Sequence, residues 1–196
     1  MKRRHCLMLI GALVLAFTLP AALPVSRAAE AASERERLFA ALKGAENERA
    51  GRLAENAIWQ WWIDQAPTPG VRANLDRGME RRAAYDFEAA EQALDSVIAE
   101  APGYAEGYNQ RAFVRFLRDN PDGALDDLER AVDLEPDHFG SWSGMYHVLM
   151  RLGRPEAAIA ALSRAVTIHP WLKERGMLPP DPDAKRPLIK GKQQDL

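Results

Sequence analysis

Apolar and polar positions divide this chain into stretches of different character. An uncharged apolar run extends from Leu7 to Leu19, behind Lys2, Arg3 and Arg4. From Ala29 to about Gly44 the chain is rich in Ala, Glu and Arg, which favours helix, and Leu38, Phe39 and Leu42 give that helix an apolar edge. A second helical stretch covers about Glu46 to Gln65 and stops before Pro67-Thr68-Pro69-Gly70, which cannot continue a helix. From Val71 to about Trp171 the pattern becomes periodic. Beyond Gly176 it gives way to Pro179-Pro180-Asp181-Pro182 and a polar end, so residues 178–196 are expected to be a flexible tail.

Three prolines mark the period: Pro102, Pro136 and Pro170 stand 34 residues apart. Other columns keep the same step. Ala90, Ala124 and Ala158 lie twelve residues before the prolines, Leu94, Leu128 and Leu162 eight before, and Val97, Ala131 and Ala165 five before. A fixed period in this range signals a stacked repeat. Small residues at Gly78, Ala112, Ala90, Ala124 and Ala158 let two helices approach closely, and the leucines fill the space between units. Asp86, Asn120 and Gly153-Arg154-Pro155 mark the turns inside each pair. One such unit cannot bury its own apolar face, so the core forms by stacking.

Residues 71–172 therefore resemble three tetratricopeptide repeats, at 71–104, 105–138 and 139–172. The middle unit is the clearest, running from Ala105 through Tyr108, Ala112 and Phe113 to Gly123-Ala124-Leu125 and Pro136. Arg81 and Arg115 depart from the family pattern in a column usually aromatic, and Asn74 in one usually Trp or Tyr. The resemblance implies an all-α α-solenoid, with a helical hairpin within 29–70 in front of it. A stub after residue 173 would thinly cover its far end, since Gly176 and Pro179 cut short the usual final helix.

By the same resemblance the first helix of each unit lines a concave groove. That places Leu75, Met79 and Arg82, then Asn109, Phe113 and Phe116, then Ser143, His147 and Met150 on the groove. An apolar groove with a few polar groups suits a helix or an extended peptide. Its rival occupant is the protein itself, through the N-terminal helices or the tail. Some members clamp a peptide's carboxylates with Lys, Asn and Arg. The matching columns here hold Leu75, Met79, Gln110, Gly140 and Gly144, which do not support that specificity.

The Trp59-Gln60-Trp61-Trp62-Ile63 segment is a second aromatic feature. Trp59 and Trp62 share a helical face, with Trp61 turned away beside Ile58. Packing between the first helix and the first repeat accounts for it, and a partner contact or membrane-surface contact is the alternative.

Charge and chemistry narrow the function. The basic start, the apolar run and Ser26-Arg27-Ala28 form the layout of a secretory signal peptide at 1–28. A retained anchor is the rival and would be the one route to membrane contact. The formal net charge is −2, and cleavage would leave 22 basic against 28 acidic residues. An acidic mature chain argues against nucleic acid. Cys6, the single cysteine, would leave with the leader, so no disulfide or thiolate chemistry is expected of the mature chain. His138, His147 and His169 lack metal-ligand spacing, no nucleophile elbow or phosphate loop occurs, and Asp126-Asp127-Glu129 is expected on a solvated face. The expectation is a non-enzymatic periplasmic scaffold without metal or cofactor that binds a partner protein or peptide. Its alternative is a structural envelope protein that self-associates through its C-terminal end or its tryptophan helix.

Overall fold

The computed structural model describes residues 27–180, so the apolar leader and residues 181–196 of the expected tail lie outside the described residues. Eight α-helices follow one another: α1 (Arg27–Lys43), α2 (Glu48–Asp64), α3 (Pro69–Ala83), α4 (Phe87–Glu100), α5 (Ala105–Leu117), α6 (Pro121–Leu134), α7 (Phe139–Arg151) and α8 (Pro155–Ile168). A short 3-10 helix, Lys173–Met177, ends the described chain.

Local chemistry sets most helix starts. Asn47, Thr68, Asp86 and Asn120 are N-caps whose side chains accept a backbone N–H from three residues on. Pro69, Pro121 and Pro155 stand in the first turn, where no N–H is needed. The three pairs α3–α4, α5–α6 and α7–α8 are the three repeats, and the first begins at Pro69. Each pair turns through one residue with positive φ: Tyr85 at 62°, Asp119 at 63° and Gly153 at 70°. These positions keep the 34-residue step, so the left-handed turn is part of the repeat although a glycine occupies it only once.

Alanine and leucine columns meet as their spacing predicts. Ala90, Leu94, Ala124, Leu128, Ala158 and Leu162 are all buried. A Cβ on Gly78 would fall 2.7 Å from Leu94 Cγ, so α3 touches α4 only because this residue has no side chain. The arginine that replaces an aromatic in the second unit has its own compensation. Arg115 donates to Glu91 Oε1 at 2.9 Å and to Asp127 Oδ2 at 3.0 Å, while Arg111 holds both oxygens of Asp127 at 2.6 and 2.9 Å. Asp127 is thus not on a solvated face: it is 3% exposed and joins α5 to α6. Asp126 and Glu129 are exposed.

The hairpin α1–α2 does not stack ahead of the first repeat as another unit. Helix α2 runs the length of the solenoid, about 25 Å for 17 residues. At its C-terminal end Ile63 packs on the first repeat's core. In the same last turn Trp62 stacks flat on His138, with ring centres 3.9 Å apart and planes 5° apart. Near its start Gly51 sits against the Trp171 side chain, and Glu55 faces His169. The contacts obey the repeat: Tyr104 donates its hydroxyl to Trp62 O and Ile63 O, His138 stacks, and Leu172 joins the same apolar cluster. Each is the second residue after a repeat-ending proline.

Two expectations are corrected here. Trp59 and Trp62 pack against His138 and Phe139, where the second repeat meets the third, not between α1 and the first repeat, because α2 crosses the solenoid. Ile58 shares the buried cluster of Trp62, and Trp61 is half-buried. Second, the far end of the solenoid is not covered by a stub alone. Leu162, Ala165 and Ile168 on α8 are covered by Phe39, Leu42 and Ile58 of the hairpin.

Tyr85 is 83% exposed and holds its left-handed conformation without glycine. Tyr85→Gly should stabilise the protein by about 0.5–1 kcal/mol, and Gly153→Ala should cost about 1 kcal/mol, as measured by urea unfolding. Equal stabilities for all three proteins would contradict the assignment of strain to this column.

Candidate functional site

Where α2 passes over α5 and α7 it leaves a cavity of about 670 Å³. Arg52, Glu55, Trp59 and Ile63 of α2 form its roof. Asn109, Phe113 and Phe116 of α5, with Ser143 and His147 of α7, form its floor, and Arg82 closes the end at α3. Gly140 is required on this floor, since any Cβ there would run into the Trp59 indole.

Six of the nine residues expected on the groove line this cavity: Arg82, Asn109, Phe113, Phe116, Ser143 and His147. Three do not. Leu75 is fully buried in the core with Val71, Leu94 and Val114, and Met79 packs on the same cluster. Ile63 and Ala66, around the end of α2, cover that cluster, so the groove is filled by the protein itself over the first repeat and open over the other two. Met150 is exposed outside the cavity. Sequence reasoning had no access to Arg52, Glu55, Trp59 and Ile63 as lining residues, because nothing in a repeat column says what crosses it.

Phe113 is 50% exposed, a large aromatic surface at the mouth of the cavity. Arg82 lies over its ring at 4.6 Å and donates to Gln110 Oε1. Burial holds the Arg82 guanidinium below its ordinary pKa, with the Glu106 carboxylate opposing the shift. Among the described residues Arg82 makes no ion pair, whereas the half-buried Arg35, Arg111 and Arg115 each hold carboxylates.

Beneath the floor lies a buried polar chain. Ser141 N–H donates to His138 Nδ1 at 3.1 Å, which leaves the proton on Nε2, 2.9 Å from Glu106 Oε2. Ser141 Oγ donates to Asn109 Oδ1 at 3.0 Å, and Gln110 Nε2 donates to Glu106 Oε1 at 2.5 Å. A Ser–His–Glu sequence of contacts invites a catalytic reading. Ser141, His138 and Glu106 are all buried, however, and none borders this cavity. The chain cements α5 to α7 and positions Asn109. His169 is likewise buried, and His147 is exposed. Among the described residues no group of three or more His, Cys, Asp or Glu is placed to hold a metal, and no helix is long and apolar enough to cross a membrane.

At the other end of the roof His169 Nε2 lies 3.3 Å from Glu55 Oε2. Trp171 N–H donates to His169 Nδ1 at 3.2 Å, which leaves the proton on Nε2, near the carboxylate but without hydrogen-bond geometry to it. The histidine holds the Glu55 carboxyl below the ordinary carboxylate range, against the opposing effect of burial. A depressed carboxyl pKa stabilises the folded state above the unfolded value and loses that stabilisation as pH falls through the folded value. The stability difference between the parent and Glu55→Gln should therefore be present at pH 6 and shrink toward zero below about pH 4, as followed by urea unfolding. A difference that grows on acidification would contradict the assigned pairing.

No protein-family model matches the chain. A TPR repeat-containing protein of Rhizobium etli is 31% identical over 140 residues, covering 69% of this chain and 66% of its own length. Among solved structures, the TPR2B domain of yeast Sti1 in complex with an Hsp70 peptide superposes with a TM-score of 0.51 at 21% identity, over 52% of this chain and 81% of that one. The first TPR of Spaghetti (RPAP3), bound to the HSP90 peptide SRMEEVD, gives 0.53 at 17% identity, over 54% and 83%. At these identities the structural likeness establishes the fold.

Proposed function

Because this chain belongs to the tetratricopeptide-repeat family, we propose that it is a non-catalytic adaptor that binds a segment of a partner protein in the cavity between α2 and the open part of the groove. The observation that carries this reading is the unfilled 670 Å³ space, walled by Phe113, Phe116, Trp59 and Phe139 and edged by Arg82, Asn109 and His147. Apolar walls with a few polar groups fit a segment with apolar anchors. The two solved relatives carry bound peptides, which supports a peptide as the occupant.

Self-association through the C-terminal end or the tryptophan helix would have to use the apolar side chains those elements still expose, Met177 and Leu53. The α8 face is covered by the hairpin, and Trp62 is buried in the same cluster. Partner binding through the groove rests on the half-exposed Phe113 set beside a cavity of its own.

The leader at 1–28 supports export to the bacterial periplasm. In cells, the protein should accumulate in the periplasmic fraction with an N-terminus at Ala29, read by intact mass. A cytoplasmic protein that retains Met1–Ala28 would overturn the export reading.

The binding reading is tested by affinity capture from envelope extract with the tagged protein and its Phe113→Ala variant. Phe113 is half-exposed, so its removal should leave the melting temperature nearly unchanged. A captured partner should bind the variant at least roughly tenfold more weakly by calorimetry, the loss expected of an aromatic hot spot. A partner held equally by both proteins would place binding elsewhere.

A further inference from the structure

Five of the residues that line the groove cavity are Arg, Lys, Asp or Glu. Four of them belong to the hairpin and the 3-10 helix, and their charges cancel. Arg52 holds Glu48 at 2.7 Å, and Glu55 has His169 beside it and also feels the Arg52 charge. Lys173 stands 3.6 Å from Glu174. The fifth is Arg82, at the α3 end of the cavity, and no carboxylate reaches it.

What surrounds the Arg82 guanidinium leaves one edge of it unused. Nη1 donates to Gln110 Oε1, and the group lies over the Phe113 ring. Nε and Nη2 have no acceptor among the described residues. Glu106 is the carboxylate whose charge it feels, but Gln110 stands between them, and Asn109, Gln110 and His138 already hold both Glu106 oxygens. Burial lowers the Arg82 pKa by more than Glu106 raises it, so the charge is undercompensated. Arg82 stands in the last turn of α3, whose final carbonyls offset it by only about half an elementary charge. Arg111 shows what the unused edge does elsewhere in the molecule: its Nε and Nη2 hold both oxygens of Asp127 at 2.9 and 2.6 Å.

We propose that Arg82 selects partner segments that carry an aspartate or glutamate beside their apolar anchor. The carboxylate bonds side-on to Nε and Nη2, as Asp127 does to Arg111, while the anchor packs on Phe113 and Phe116. A neutral segment covering the same place would strip water from an unpaired guanidinium, so discrimination comes from that penalty as much as from the new pair. Arg82 lies outside the columns Leu75, Met79, Gln110, Gly140 and Gly144, where some members of the family clamp carboxylates. The inference rests on the groove reading above and supplies the chemistry of its occupant.

The test selects random decapeptides displayed on phage against the purified protein at about 0.05 M salt, where screening is modest. The strongest binder is then synthesised with both ends blocked and titrated by calorimetry. Selected sequences should share an Asp or Glu at a fixed distance from an apolar residue. Changing that acid to its amide should weaken binding to the parent roughly tenfold and leave binding to Arg82→Gln unchanged, while Phe113→Ala should weaken both peptides. The change in the peptide leaves the protein untouched, so the loss in the parent does not depend on how well any variant folds. Peptides that share no acid, or an acid whose loss costs the same in the parent and in Arg82→Gln, would overturn the inference. The groove reading would survive that result if Phe113→Ala still weakened binding. Peptides indifferent to Phe113→Ala, or no selected peptide at all, would overturn the groove reading and this inference with it.

Discussion

The stack of Trp62 on His138 is the contact on which the arrangement of this molecule depends. A large aromatic dominates the energetics of whatever it packs against, and here it fixes α2 onto the junction of the second and third repeats, with Phe39, Ile58 and Phe139 closing around it. His138 is held from below by Glu106 and caps α7 through Ser141, so the platform under Trp62 is itself rigid. Once α2 lies there, its other neighbours follow: Ile63 covers the first repeat, and Gly51 accepts Trp171. The cavity under α2 is a consequence of the same placement.

The repeat was legible because close helix packing restricts residue type. Ala90, Ala124 and Ala158 have no room to grow, and the leucines eight residues before each proline fill equivalent spaces, so the period is written in composition. The groove was partly legible for the same reason, since columns fix which face of α5 and α7 looks inward. Leu75 and Met79 failed because the rule describes a repeat without a cover, and α2 covers the first one.

The route of α2 left no such trace. Three of its contacts fall in one column, Tyr104, His138 and Leu172, but each uses a different interaction: a hydroxyl bond, a ring stack and an apolar contact. A column held together by position and not by chemistry looks like a variable surface site. Asp127 was hidden in a related way. Within a run of acids it resembles its solvated neighbours, and only the arginines from α5 distinguish it.

A stack of repeats ordinarily behaves as a line of nearest neighbours, each free to open without the far end. In this molecule Arg35 bonds to Glu135 and Asp137, about one hundred residues away along the chain, and the hairpin closes over α8. The line has become a loop. Pairings between distant parts of a chain slow folding, because the intervening segment must be ordered first. A hairpin synthesised at the start must therefore wait, apolar face uncovered, until α8 has formed. Unfolding should in turn be a single cooperative event, with no end from which the solenoid can fray.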